Sequence, residues 1–137
     1  MRIAFAADDE NATTQAVLAY LAEAGHEVSL PVQGESWPQL GAAVGNAVVA
    51  GMADFGIVMC WTGTGTAIAA NKVAGVRAAL AWDAWIAEGA RKWNDANVLA
   101  MSLKRLAPDV AVEVTKAFLD PGNTPDPGEA GNIEQLG

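Results

Sequence analysis

Gly56-Ile57-Val58-Met59-Cys60-Trp61-Thr62-Gly63-Thr64-Gly65-Thr66-Ala67-Ile68-Ala69-Ala70-Asn71 decides the fold. The first part of this stretch is a nearly unbroken apolar run, the pattern of a strand covered on both sheet faces. A threonine–glycine turn follows, and then the small residues that open a helix. Strand, glycine-rich turn and helix in this order make one crossover unit of a parallel sheet. The only cysteine of the chain, Cys60, falls where the strand ends. It therefore stands beside a row of backbone N–H groups at a helix N-terminus, a place that stabilises negative charge on a thiolate or an oxyanion. A proton-abstracting base beside an anion-stabilising turn is what enolisation chemistry needs.

The same alternation runs outward in both directions. A short apolar strand is predicted over 2–7. Asn11 can cap a helix to about residue 24 that turns Val17, Leu18 and Leu21 inward. Gly25 closes that helix, and a second strand follows over 26–30. Pro38 opens a helix carrying Leu40, Val44, Ala47 and Val48 at helical spacing, ended by Gly51. The strand over 55–60 leads into a helix to about 73, a strand over 76–81, and a helix to about 93 capped by Asp83. A fifth strand over 97–101 and a helix over 108–119 complete the pattern. The fold class is α/β, a three-layer Rossmann-like sandwich with a five-stranded parallel sheet. Residues 1–119 form a single domain. Residues 120–137 carry four acids, no base, and several prolines and glycines, and are expected to be extended or loose.

Composition narrows the function. With 52% hydrophobic residues the chain can build a full core, and no apolar run reaches the roughly 18 residues of a membrane span. The net charge of −8 argues against nucleic acid and anionic membranes as partners. One cysteine and one histidine argue against a zinc site of such ligands within one chain, and no metal or cofactor is expected. A lone thiol and an acid-bearing N-terminus without a signal-type apolar region fit a reducing cytoplasm.

In open α/β sheets the ligand lies beyond the carboxyl ends of the strands. Those ends carry Asp8, Asp9 and Glu10, then Cys60 to Gly65, then Trp82 and Asp83, then Ser102 to Arg105. A small buried hydrophobe is the alternative reading of Cys60; the Thr62-Gly63-Thr64-Gly65 turn, which can aim N–H groups at a ligand, favours a reactive one. The acidic turn at 8–10 is a helix-capping cluster, a set of ligands for sugar hydroxyls, or a magnesium site of receiver-domain type. The last would need an aspartate where Cys60 stands. Five tryptophans are many for this length. Trp85 and Trp93 share a helix face with Gly89 between them, and Trp61 adjoins Cys60; they predict an apolar pocket wall or a subunit interface. His26, far from the strand carboxyl ends, is expected to be structural.

Taken together, Cys60-Trp61-Thr62-Gly63-Thr64-Gly65, Ile68-Ala69-Ala70-Asn71-Lys72-Val73-Ala74-Gly75-Val76-Arg77-Ala78-Ala79-Leu80 and Asn94-Asp95-Ala96-Asn97-Val98-Leu99 resemble the ribose-5-phosphate isomerase B and galactose-6-phosphate isomerase family. Gly25-His26-Glu27-Val28 and Trp37-Pro38 also fit. The resemblance covers roughly residues 1–119. It implies a metal-free aldose–ketose isomerase that acts on a small sugar as a homodimer or homotetramer, with sites shared between subunits. Cys60 would be the base of a cis-enediolate mechanism, and the N–H groups of Gly63, Thr64, Gly65 and Thr66 would hold the enediolate oxygen. Thr62 would assist ring opening or proton handling, and Asp8 would contact the sugar. Asn94 would reach the substrate of the partner chain, and Asn71 and Lys72 would be structural.

The departures from the family pattern share a direction. Asp9 stands where the family has a histidine, Trp93 replaces the histidine credited with ring opening, and bulky Trp61 replaces a glycine. Lys104, beside Arg105, is the only match to the basic residue after the fifth strand, and the C-terminal arginines that clamp phosphate have no counterpart. A phosphate dianion needs charge-assisted donors, whereas carboxylates and indoles suit neutral polyols. The expected substrate-binding set is therefore Asp9, Trp61, Gly63, Thr64, Gly65, Thr66, Trp93, Asn94 and Lys104. The expected substrate is an unphosphorylated sugar, a modified sugar or another α-hydroxy carbonyl compound. Two other classes stay open: a non-catalytic sugar-binding relative or inactive partner subunit, and a redox-sensing module built on Cys60.

Overall fold

In the computed structural model, which describes residues 1–137, strands and helices alternate as the hydrophobic pattern requires. They are β1 (Arg2–Ala7), α1 (Ala12–Glu23), β2 (Glu27–Ser29), α2 (Trp37–Val49), β3 (Phe55–Cys60), α3 (Thr64–Asn71), β4 (Ala78–Leu80), α4 (Ala84–Asn94), β5 (Val98–Ser102) and α5 (Pro108–Leu119). A 3₁₀ turn (Pro127–Glu129) and a one-turn α6 (Ala130–Glu134) follow. The strands form one sheet in the order β2-β1-β3-β5-β4, and every pair is parallel.

Side chains of β1, β3 and β5 point alternately to the two faces, and the faces differ in size. Ile3, Phe5, Ile57, Met59, Leu99 and Met101 meet Val17 and Leu21 of α1, Ala87 and Ala90 of α4, and Ala111, Val114 and Phe118 of α5. The other face offers Ala4, Ala6, Val58, Val98 and Ala100 to Leu40, Val44 and Ala47 of α2 and Ala67 and Ala70 of α3. Each of the large side chains, once fully buried, stabilises the fold by roughly 1.5–3 kcal/mol. The small face draws its helices in. A Cβ on Gly56 would stand 2.4 Å from Val44 Cγ1, so α2 lies nearly on the backbone of β3. Gly41 lets α2 lie equally close to α3, since a Cβ there would come within 2.7 Å of Ala69 Cβ and 2.8 Å of the Thr66 carbonyl oxygen.

The element ends differ from expectation where tertiary contacts decide them. The edge strands β2 and β4 are three residues each, because the flanking N–H groups of His26 and Val76 turn back to Leu21 and Val73. Helix α3 stops at Asn71 rather than about 73. There the Asn71 amide accepts from Ala78 N–H (2.8 Å) and donates to the Ala78 carbonyl (2.9 Å), fastening helix end to edge strand. Strand β5 begins and ends one residue later than expected, at Val98 and Ser102. The acidic tail is partly folded. Asn123 is buried and donates to the Ala117 carbonyl, Asp126 N–H donates to the Lys92 carbonyl, and the Asp126 side chain caps the Pro127–Glu129 turn. No side chain of α6 is buried. No helix is long and apolar enough to cross a membrane.

Gly41→Ala should push α2 away from α3 and lower stability by about 1–3 kcal/mol. Urea unfolding followed by far-UV circular dichroism measures this, and unchanged stability would show that the two helices are not in forced contact.

Candidate active site

Strand β1 connects through α1 to β2 on one side, and β3 connects through α3 to β4 on the other. Their continuations lie on opposite faces, so the carboxyl ends of these neighbouring strands part and leave a crevice. Asp8 follows β1 and Cys60 ends β3. The crevice holds a cavity of about 390 Å³ lined by Asp8, Trp37, Cys60, Trp61, Thr62, Thr64 and Gly65.

The Cys60 side chain is only 5% exposed, and that opening faces the cavity. Gly63, in the left-handed conformation (φ 79°), turns the chain sharply between β3 and α3. A side chain there would collide with Leu80 and the Met101 backbone, at 2.6 and 2.8 Å from the Cβ position. The turn brings the Gly63 N–H to 3.2 Å from Cys60 Sγ, and the Thr66 hydroxyl to 3.4 Å from Sγ and 3.3 Å from the Gly63 carbonyl. Burial pushes the thiol up. Hydrogen bonds from the Thr66 hydroxyl and from the Thr66, Gly63 and Thr62 N–H groups outweigh it, and the thiol lies below its ordinary value. These donors therefore favour the thiolate form of a sulfur that borders a cavity.

These contacts divide the turn between two tasks. The Gly63 and Thr66 N–H groups, expected to face an oxyanion, are turned to the sulfur. The Thr64 N–H makes a long bond (3.3 Å) to Thr62 Oγ1, which lies 2.6 Å from Thr64 Oγ1. The Gly65 N–H has no acceptor within the protein and is the free donor at the helix start.

Asp8 adjoins both this cavity and a second cleft of about 430 Å³ beyond β1 and β2, where Asp9, Glu10 and Glu35 stand over Phe5, Leu18, Leu30 and Val32. Burial raises the Asp8 carboxyl above the usual carboxylate range, and the charge of Asp9 raises it further. Lys104 lays its ammonium 4.6 Å from the centre of the Trp61 ring. The strand behind is locked by Leu103 N–H to the Cys60 carbonyl and by the Ser102 hydroxyl to the Trp61 carbonyl.

Trp93 and Asn94 do not join this group within their own chain. Helix α4 runs back toward the amino ends of the strands, and both residues lie at its far end. There Asp95, left-handed at φ 47°, is clasped by Arg77 (3.1 Å) and Arg91 (3.0 Å). Trp93 folds over Gly89 and meets Trp85 edge to face at 5.5 Å, filling the gap the glycine was expected to leave. His26 receives the N-terminal amine at 3.1 Å at the same amino edge, far from Cys60. Trp37 is the cavity residue that the spacing of the sequence did not reveal. The sequence marked it only through the Trp37-Pro38 match to the family and its register with Gly41 and Gly45, and not as a site residue.

The chain is similar to known proteins along most of its length. The family model described as Ribose/Galactose Isomerase matches residues 3–135. The chain is 43% identical over 83 residues to a putative sugar phosphate isomerase, YwlF, of Bacillus subtilis, covering 61% of this chain and 56% of that protein. It is 37% identical over 101 residues to the D-erythrulose-4-phosphate isomerase of Pectobacterium atrosepticum, covering 74% of this chain and 66% of that protein. The alignments thus span between about half and two thirds of these relatives' own length. Among solved structures, ribose-5-phosphate isomerase B of Clostridium thermocellum superposes with a TM-score of 0.89 at 31% identity, covering 100% of this chain and 95% of that one. With a parallel sheet of the same kind and a match that runs nearly end to end, the chain belongs to the ribose/galactose isomerase family.

Proposed function

We infer that the protein is an aldose–ketose isomerase that moves a proton between adjacent carbons of a sugar through a cis-enediolate, with Cys60 as base. The observation that carries this reading is the Cys60 sulfur, nearly buried, hydrogen-bonded toward its thiolate and open to a cavity. The thiolate takes the proton from the carbon beside the carbonyl and becomes the thiol. The electron pair moves to the carbonyl oxygen, which the Gly65 N–H and the positive end of α3 stabilise. The thiol then returns the proton to the former carbonyl carbon. Asp8, with Thr62 and Thr64, binds the hydroxyls and handles the proton that passes between the two oxygens.

The active unit is a dimer or a higher assembly. Trp82, Trp85 and Trp93 are 42–64% exposed in the single chain, an apolar surface suited to subunit contact. A partner so placed would bring its Asn94 and Trp93 to the site, as the resemblance implies. Asp8, Asp9, Glu10 and Glu35 stand around the cavity and the adjoining cleft, no lysine or arginine lines either, and Lys104 lies against the Trp61 ring. That balance favours a sugar whose binding leans on hydroxyls and carbon surface over one gripped by a phosphate dianion. The loss of the family's histidines also supports a second reading, that of a sugar-binding relative without turnover.

A panel of phosphorylated and unphosphorylated sugars in heavy water separates these readings. Deuterium should enter a sugar carbon with wild-type protein, and Cys60→Ala should lower the rate by about 10²–10⁴-fold with the fold intact. Retained exchange would remove Cys60 as the base, and binding without exchange by wild-type protein would support the non-catalytic reading. Turnover of ribose 5-phosphate well above that of every neutral sugar would overturn the proposed shift in substrate.

The rate should also follow the thiolate. kcat/KM should rise with pH through a midpoint below that of an ordinary thiol. In Thr66→Val one donor to the sulfur is lost, the thiolate is less favoured, and the midpoint should move upward. Ultraviolet thiolate absorbance against pH should shift in the same sense; a midpoint that stays put would show that the hydroxyl does not hold the sulfur's charge.

A further inference from the structure

We propose that Trp37 is a specificity-determining residue of the Cys60 cavity, an aromatic wall that fixes how much carbon can stand beside the free N–H of Gly65. Three observations place it there. First, its ring lies flat against the start of α3: a Cβ built on Gly65 would meet Trp37 Cε3, Cδ2 and Cζ3 at 2.9, 3.1 and 3.2 Å. Only glycine at 65 admits the indole, and the indole in turn lies next to the Gly65 N–H, which has no acceptor within the protein. Second, Trp37 is 45% exposed although its ring touches α3, and the residue lines the cavity that holds the sulfur. Third, its position is rigidly determined. Trp37 is the first residue of α2, behind the Ser36–Gln39 capping box and ahead of Pro38. Residues 37, 41 and 45 follow one helix face, and Gly41 and Gly45 press that face against Thr66, Ala69, Ala70 and Val73 of the α3 segment. The wall and the anion-stabilising turn therefore move as one body.

The chemistry follows from the shape. A sugar whose oxygen accepts from the Gly65 N–H brings the carbon bearing that oxygen close to the indole that lies over Gly65. A terminal carbon fits there, and its C–H bonds cover the ring. A carbonyl carbon carrying a further chain or a ring on that side does not fit. The wall thus selects against bulk on the reacting end of the sugar chain. This inference takes Cys60 and its turn as the reacting centre and so rests on the function proposed above.

The sole thiol allows a test that needs no turnover. Cys60 is alkylated with N-methylmaleimide and with N-benzylmaleimide in the wild type, in Trp37→Phe and in Trp37→Ala, and the rate ratio is normalised to that of free glutathione. Wild-type protein should disfavour the bulky reagent by about tenfold or more, the scale on which a pocket wall discriminates. Trp37→Ala should bring the ratio near that of glutathione, and Trp37→Phe should fall between. In the heavy-water assay Trp37→Ala should lower kcat/KM for the best short sugar and raise it for a bulkier α-hydroxy ketone. A ratio unchanged in Trp37→Ala overturns the proposal. Should circular dichroism show that variant unfolded, an unchanged ratio in Trp37→Phe overturns it instead. A changed ratio with no deuterium exchange by wild-type protein on any sugar leaves the wall in place and removes the isomerase reading, so the two failures are distinct.

Discussion

The structure depends on one close approach. Helix α3 begins four residues after the end of β3, and the N–H groups of Gly63, just before it, and of Thr66, within its first turn, are turned to the sulfur that ends the strand. That geometry needs a left-handed residue at 63 with no side chain, because Leu80 and the Met101 backbone already occupy the space. It also needs α3 to be held down, which α2 does across Gly41 and Gly45. The asymmetry of the sheet serves the same end. Large side chains fill the α1, α4 and α5 face, while alanine, glycine and valine line the α2 and α3 face so that both helices come near the backbone. Burial of the thiol opposes its ionisation and its hydrogen-bond donors favour it, and the donors outweigh the burial.

Strand order supplies the second half of the site. Because β1 and β3 are neighbours whose connections leave in opposite directions, Asp8 and Cys60 open onto one crevice although 51 positions separate them in a 137-residue chain. The two bring opposite tendencies. The carboxyl is shifted toward its neutral form by burial and by Asp9, and the thiol toward its charged form by its donors. A pair of groups displaced toward each other's range is suited to passing protons among the oxygens and carbons of a small polyol.

Much of this was legible in the residues. The apolar run ending at Cys60, the threonine–glycine turn and the small residues after it predicted β3 and α3 and placed the thiol at a helix start, where the structure has it. Asp8, Trp61, Thr62, Thr64 and Gly65 were expected at the site and line the cavity. The division of labour among the N–H groups was not legible, because four consecutive amides look alike until the φ of Gly63 aims two of them at the sulfur. Neither was Trp37, whose neighbours in the sequence are a capping serine and a proline and whose partner, Gly65, lies on another helix. Tail residues 120–137 looked loose because composition carries no record of Asp126 N–H finding the Lys92 carbonyl.

Sequence alone determined the alternation of strand and helix, the layer each apolar stripe must face, and the chemical character of the group at the end of β3. Those are local properties, set by periodicity, by glycine's freedom at positive φ and by the reactivity of one side chain. Only the tertiary structure decided that β5 would lie between β3 and β4, that Trp93 and Asn94 would sit at the far end of α4 from the sulfur of their own chain, and that an indole from α2 would close over the start of α3. Those depend on which surfaces come within a few ångströms of each other, and such distances are fixed by packing between elements remote in the chain, which no local pattern encodes.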